Sequence, residues 1–243
     1  MQAADFLTEA RERESQTWNT IHQHPFVRGI GAGTLSRSRW AFYLREDHAY
    51  LVDSCKVLAL ALARSGGWED IRFFSRLLNT TVEVEMPLHL GACAELGISR
   101  DELQQHRPSF ATLAYASHLI RTACEGGAAD INAALLPCYA GYVEVAERLQ
   151  EAGLPGEPRC RAWIEAYVSP EMRGNAAWMA RRMNEHAAGA SPSDRSRWLD
   201  LYSVSARFEL LFFDMCWQES PWPGREELRN QVEEREPSNG RGL

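Results

Sequence analysis

The chain has 243 residues, of which 45% are hydrophobic, 10% aromatic and 24% charged; that balance supplies a sizeable core and excludes a disordered polypeptide, a collagen and a disulfide-knot scaffold. Its 26 basic and 33 acidic residues leave a net charge of −7, so the average field repels phosphate backbones and nucleic acid is not an expected partner.

Apolar residues recur at three- and four-residue spacing along almost the whole chain, which predicts an all-α fold. A first helix is read over residues 3 to about 22, closed by His24-Pro25 because the residue before a proline is pushed out of helical geometry. Ser36 or Ser38 caps a second helix running to about residue 64, where Ser65-Gly66-Gly67 stops it. The next run begins at Trp68 and continues through Phe73, Leu77, Val84 and Leu88 to Leu96, with Gly97 as its stop and Pro87 bending it. Further helices are read over residues 109–124, 130–151 with Asp130 as cap, 158–168, 170–188 and 193–217. Residues 1–222 are expected to form a single helical domain. Residues 223–243 have few apolar side chains and many charges, which predicts a polar tail that is a solvated helical turn or disordered.

The longest uninterrupted apolar stretch, residues 57–63, is far short of the roughly 20 residues that a bilayer span needs, so no membrane partner is expected. Six cysteines without a CxxC pair, and a charged N-terminus carrying Glu9, Arg11, Arg13 and Glu14, suit a reducing cytoplasm better than export. Phosphate-binding glycine loops and the GxSxG nucleophile elbow are absent from the sequence, which disfavours phosphoryl transfer and serine hydrolysis.

Three side chains intrude on otherwise apolar helical faces: Asp47, Cys138 and Glu209. Burial of such groups is costly unless something pairs with them. Each has an aromatic residue one turn further on: Tyr50, Tyr142, and the Phe212-Phe213 pair. If these faces converge, the product is a pocket of two carboxylates, a thiol and several rings, suited to a flat nitrogen heteroaromatic. The plain alternative for each is structural: Cys138 a small buried hydrophobe, Asp47 paired with an arginine such as Arg45, Glu209 a partly exposed helix residue, and Tyr50, Tyr115 and Tyr142 core aromatics with one wet end. Pro137 should kink the helix beside Cys138 and, by freeing backbone N–H groups near the sulfur, favour thiolate. A competing constellation is a metal site, since Glu85 and His89 share a helical face and Glu83 and Glu147 supply carboxylates; the His22-x-His24 pair precedes a proline.

The segments HPFVRGIGAGTLSRSRWAFYLREDHAYL, TVEVEMPLHL, YASHLIR, AALLPCYAGYVEV and ARFELLFFDMCW, in this order, resemble the thiaminase II (TenA, aminopyrimidine aminohydrolase) family over residues 3 to 222, in its cysteine-containing branch. The resemblance implies a haem-oxygenase-like helical bundle without haem, assembled as a homotetramer, with no cofactor. It implies hydrolysis of 4-amino-5-aminomethyl-2-methylpyrimidine, and of thiamin, to the hydroxymethylpyrimidine in thiamin salvage. Matched position by position, it implies Cys138 as nucleophile, Glu209 as acid/base and Asp47 as the group that binds the ring's amino group. Tyr50, Tyr142 and Tyr167 match positions that orient the ring or tune the thiol, Tyr115 lies beside the reacting centre, and Glu85 and Phe212 match pocket positions. Glu46 stands where glutamine is common, Arg207-Phe208 where tyrosines are frequent, and Ala140-Gly141 in place of bulkier residues, which predicts a wider pocket. Two rivals stand beside this reading: a metal-dependent oxidase using Glu85 and His89, and a non-catalytic pyrimidine- or thiamin-binding regulatory protein.

Overall fold

Two long helices, α4 (Arg37–Arg64) and α13 (Pro192–Gln218), form the axis on which the rest of the chain packs. The computed structural model describes residues 5–222, so the start of the expected N-terminal helix and the polar tail at 223–243 lie outside the described residues. Among those described there are thirteen α-helices, two π-helical turns and no strand. On α4 the buried positions Trp40, Tyr43, Leu44, Tyr50, Leu51, Ser54, Val57, Leu58 and Ala61 repeat at helical spacing, the pattern of an apolar stripe facing a core. Ser36 caps this helix by accepting the Arg39 N–H at 3.2 Å, as its position predicts.

The N-terminal region is divided more finely than periodicity suggests. In place of one helix there are α1 (Phe6–Arg13) and α2 (Ser15–Gln23), broken at Glu14. The buried Glu14 carboxylate accepts hydrogen bonds from Arg207 Nη2 and the Thr17 hydroxyl, both at 2.8 Å; Arg207 thus ties the turn to α13. The chain then forms α3 (Pro25–Ala32), whose cap is His24: its Nδ1 accepts the Phe26 N–H at 3.1 Å and Pro25 fills the first turn, where a missing N–H is harmless. His24-Pro25 therefore starts a helix as well as ending one.

The apolar run from Trp68 is α5 (Trp68–Thr80), a π-turn at Thr81–Glu85, and α6 (Met86–Glu95). Gly97, at φ +76°, takes the left-handed conformation that ends α6 and that glycine adopts without steric cost. A short α7 (Arg100–Gln105), capped by Ser99, follows; six residues are too few to show a period. Next come α8 (Phe110–Glu125) and α9 (Ala128–Leu136), where Asp130 Oδ2 accepts the Gly127 N–H at 2.9 Å as the third residue of the first turn, not the cap itself. Every residue of α9 from Asp130 onward is buried, a helix enclosed on all sides against α4, α8, α12 (Pro170–Ala188) and α13.

A second π-turn, Pro137–Gly141, links α9 to α10 (Tyr142–Ala152), and α11 (Pro158–Tyr167) follows. Both π-turns sit at a proline, Pro137 within one and Pro87 just after the other. Proline lacks the N–H and crowds the carbonyl four residues back, and widening the turn accommodates it without ending the helix. The bend read at Pro87 and the kink read at Pro137 take this form.

Gly141 is where the second π-turn meets α2. A Cβ there would lie 2.2 Å from Trp18 Cη2, and Trp18 is a buried ring held under the Arg11 guanidinium at 3.7 Å. Gly141 thus makes room for Trp18 behind the turn, and neither Ala140 nor Gly141 is among the lining residues of the pocket described below. Gly141→Ala is expected to lower stability by about 2–3 kcal/mol through overpacking, read as a lower urea midpoint with unchanged slope.

Candidate active site

The nine residues that the resemblance assigns to a site line one pocket: Asp47 and Tyr50 from α4, Glu85 from the first π-turn, Tyr115 from α8, Cys138 from the second π-turn, Tyr142 at the start of α10, Tyr167 at the end of α11, and Glu209 and Phe212 from α13. The cavity is narrow, about 40 Å³ of space open to water. Two carboxylates and a thiol thus arrive from residues 47, 138 and 209 by way of three different elements.

Glu209 is 2% exposed and accepts a hydrogen bond from the Tyr115 hydroxyl at 2.7 Å. Burial disfavours its charged form, outweighing the Tyr115 and Tyr142 hydroxyls that support it, and the negative charge of Asp47 adds to the effect; the carboxyl is pushed up to about 7. Tyr115 is fixed between rings, 5.3 Å from Tyr50 and stacked on Phe208 at 5.4 Å with the planes 13° apart. The Arg207-Phe208 pair therefore has two uses, one as the anchor of Glu14 and one as the support of the tyrosine that holds Glu209. On the opposite wall Glu85 is also raised to about 7, first by burial and then by Asp47, against the Thr81 hydroxyl.

Cys138 is partly buried, and burial together with the charge of Glu209 pushes its thiol well above the ordinary range. Tyr50 is the group that favours the thiolate, and its buried hydroxyl has no protein partner at hydrogen-bonding geometry. The expectation that the bend at Pro137 favours thiolate is therefore not met: the π-turn places the sulfur against carboxylates and apolar surface, and the resting group is a thiol. Attack by this sulfur needs a base at the moment of reaction.

Asp47 does not pair with Arg45, which reaches Glu102 at 2.6 Å instead. Its partner is His89, whose Nδ1 lies 3.3 Å from Asp47 Oδ2. The other ring nitrogen, Nε2, lies 3.0 Å from the Leu44 carbonyl oxygen, with Cys93 Sγ at 3.5 Å. Both ring nitrogens therefore have protein partners. Glu83 is exposed, Glu147 pairs with Arg173 at 2.7 Å, and among the described residues no three His, Cys, Asp or Glu side chains form a group able to hold a metal ion. His22 binds Glu144 at 2.9 Å and His24 binds Asp214 at 3.1 Å, and neither histidine lines the pocket.

Glu46 points away from the pocket and is wholly buried, accepting from the Ser109 N–H at 3.0 Å, the Ser109 and Thr112 hydroxyls at 2.6 and 2.5 Å, and His106 at 2.9 Å. Those donors outweigh burial and hold it below the usual carboxylate range. Sequence reasoning missed Leu51, Ser54, Thr81, Tyr139 and Met172 as lining residues, and considered His89 only as a ligand in the rival metal reading. Ser54 lies one helical turn beyond Tyr50, and Thr81 four residues before Glu85; helical spacing alone could have nominated both.

A profile of the TENA/THI-4/PQQC family matches residues 11–219. An aminopyrimidine aminohydrolase of Halalkalibacterium halodurans is 34% identical over 220 residues, covering 89% of this chain and 97% of the relative. Among solved structures, a TenA homologue from P. horikoshii OT3 superposes with a TM-score of 0.82 at 24% identity, covering 88% of this chain and 99% of that one. A domain of unknown function from Shewanella denitrificans OS217, described as having a haem-oxygenase-like fold, gives 0.70 at 15% identity, with 98% of each chain covered. These likenesses establish the fold as an all-α haem-oxygenase-like bundle, and the match of profile and relative over most of the sequence shows that the chain belongs to the TENA/THI-4/PQQC family.

Proposed function

We propose that this protein is a hydrolase of the thiaminase II type that converts 4-amino-5-aminomethyl-2-methylpyrimidine and water to the hydroxymethylpyrimidine and ammonia, with Cys138 as nucleophile, Glu209 as acid/base and Asp47 as the anchor of the ring's amino group. The observation that carries the reading is the meeting of a buried thiol, a carboxyl raised to about 7 and a second carboxylate in one aromatic slot. The similarity to a protein named aminopyrimidine aminohydrolase supports it from an independent side.

An aminopyrimidine is a poor electrophile until a ring nitrogen gains a proton. Glu209, still half protonated near neutral pH, donates that proton and becomes a carboxylate able to take the one on Cys138 Sγ. The sulfur adds to a ring carbon as the proton leaves it, which replaces one difficult displacement by two easier steps. Loss of the amine from the exocyclic methylene, addition of water at that carbon and departure of the sulfur restore the aromatic ring and the free thiol. Tyr142 and Tyr167, with centroids 4.9 Å apart, and Tyr50 confine the ring so that the sulfur meets its face, which lowers the entropic part of the barrier.

Separate incubation with the aminomethylpyrimidine and with thiamin, with products identified by mass spectrometry, tests this. The hydroxymethylpyrimidine is expected from both, faster from the aminomethyl compound because the slot is narrow. Tight binding of either compound with no product over hours would make the protein a binding module and overturn the enzymatic reading.

A further inference from the structure

His89 has no part in the chemistry above, yet it is buried on α6 directly behind Asp47. Each ring nitrogen faces an acceptor, the Asp47 carboxylate from Nδ1 at 3.3 Å and the Leu44 carbonyl from Nε2 at 3.0 Å, with the weakly bonding Cys93 thiol further from Nε2 at 3.5 Å. A neutral imidazole carries one N–H and satisfies one of them; an imidazolium carries two and satisfies both. We propose that His89 is a positioning residue, a fixed imidazolium strapped between the α4 backbone and Asp47, which keeps that carboxylate turned toward the amino group of the bound pyrimidine. The proposal rests on the function proposed above.

The surroundings agree. The charged and titratable groups facing His89 are Asp47 and His48 from α4, Glu85 from the π-turn before α6, and Cys93 one turn further along α6. Burial works against the cation, and the hydrogen bonds to Asp47 and Cys93 with the charge of Asp47 overcome it, raising His89 to about 10. His48 lies parallel to His89, centroids 5.7 Å apart with planes at 22°; burial and the His89 charge lower it, so this neighbour stays neutral and leaves one cation in the cluster. Asp47 thereby has a fixed cationic partner 3.3 Å away on the side facing α6. The Leu44 carbonyl is the structural half of the strap: it belongs to α4 one turn before Asp47, so the ring is referenced to the same helix that carries the carboxylate.

The direct test is nitrogen NMR of the full-length, histidine-labelled protein. Both ring nitrogens of His89 are expected to stay protonated from pH 6 through pH 8, while a titration midpoint near that of an ordinary imidazole would overturn the proposal, whether or not the protein turns over substrate. In kinetics, His89→Gln retains a donor toward Asp47 but no charge. It is expected to raise KM about tenfold, the scale of one charge-assisted contact, with kcat changed less than about threefold. An unchanged KM, accompanied only by a lower melting temperature, would assign His89 a merely structural role and overturn the proposal. Absence of product from the wild-type protein would overturn the functional reading instead, leaving the NMR result to decide the charge state.

Discussion

Cys138→Ala is expected to abolish turnover of the aminomethylpyrimidine, a loss of at least about 10³-fold in kcat, while the dissociation constant of the pyrimidine changes by less than about threefold. The argument is geometric. The sulfur is one lining atom of the slot, whereas the rings of Tyr50, Tyr142 and Tyr167 and the carboxylate of Asp47, proposed to hold the ligand, come from other elements. Removing one sulfur therefore removes the bond-forming atom and leaves the container. Stopped turnover with intact binding in isothermal titration is the expected result; turnover within tenfold of wild type would show that another group attacks.

Glu209→Gln is expected to lower kcat/KM by about 10² to 10⁴, the range for loss of a positioned acid/base, and to make the protein more stable in alkali. The wild-type profile should fall as pH rises through about 7, where Glu209 gives up the proton it must donate, and glutamine should erase that limb. The stability effect follows from the same raised carboxyl. Between the ordinary carboxyl value of 4.5 and about 7, the folded protein keeps a proton that the unfolded chain has released. Stability is therefore full below 4.5 and is lost as pH climbs through 7, by up to about 3 kcal/mol for a shift of this size. Glutamine escapes this loss while still accepting the Tyr115 hydroxyl. Melting temperatures at pH 8 should accordingly be higher for the variant, with the gap closing toward pH 5; a variant less stable at both values would refute a buried, strained acid here.

How much of this was visible beforehand depends on the scale of the feature. Long helices with a sustained apolar stripe, such as α4 and α13, read correctly to within two residues at each end, because about seven turns of periodicity in each average out local exceptions. The short α3 and α7 did not, since each is set by a cap, His24 or Ser99, and not by a pattern. The break at Glu14 arises from a long-range partner, Arg207 on α13, which no local reading can supply. Within the pocket, the odd polar residue on an apolar face proved a good signal for Asp47, Cys138 and Glu209, because burying such a group demands a reason. Proline pointed to both irregular turns, but not to their π form or to its result, a thiol placed beside carboxylates and not beside freed N–H groups. His89 illustrates the limit: its spacing from Glu85 suggested a metal ligand, and only the positions of Asp47 and the Leu44 carbonyl across the helix interface reveal two acceptors on one ring.

The most direct test of the whole account is reaction of the wild-type protein with the aminomethylpyrimidine in water enriched in heavy oxygen, quenched in acid, with intact protein and products both weighed. The account predicts one heavy oxygen in the hydroxymethyl product, an equivalent of ammonia, and during turnover a fraction of protein heavier by one pyrimidine unit attached at Cys138. Product formed at full rate by the Cys138→Ala protein, or no labelled product from the wild type, would contradict it.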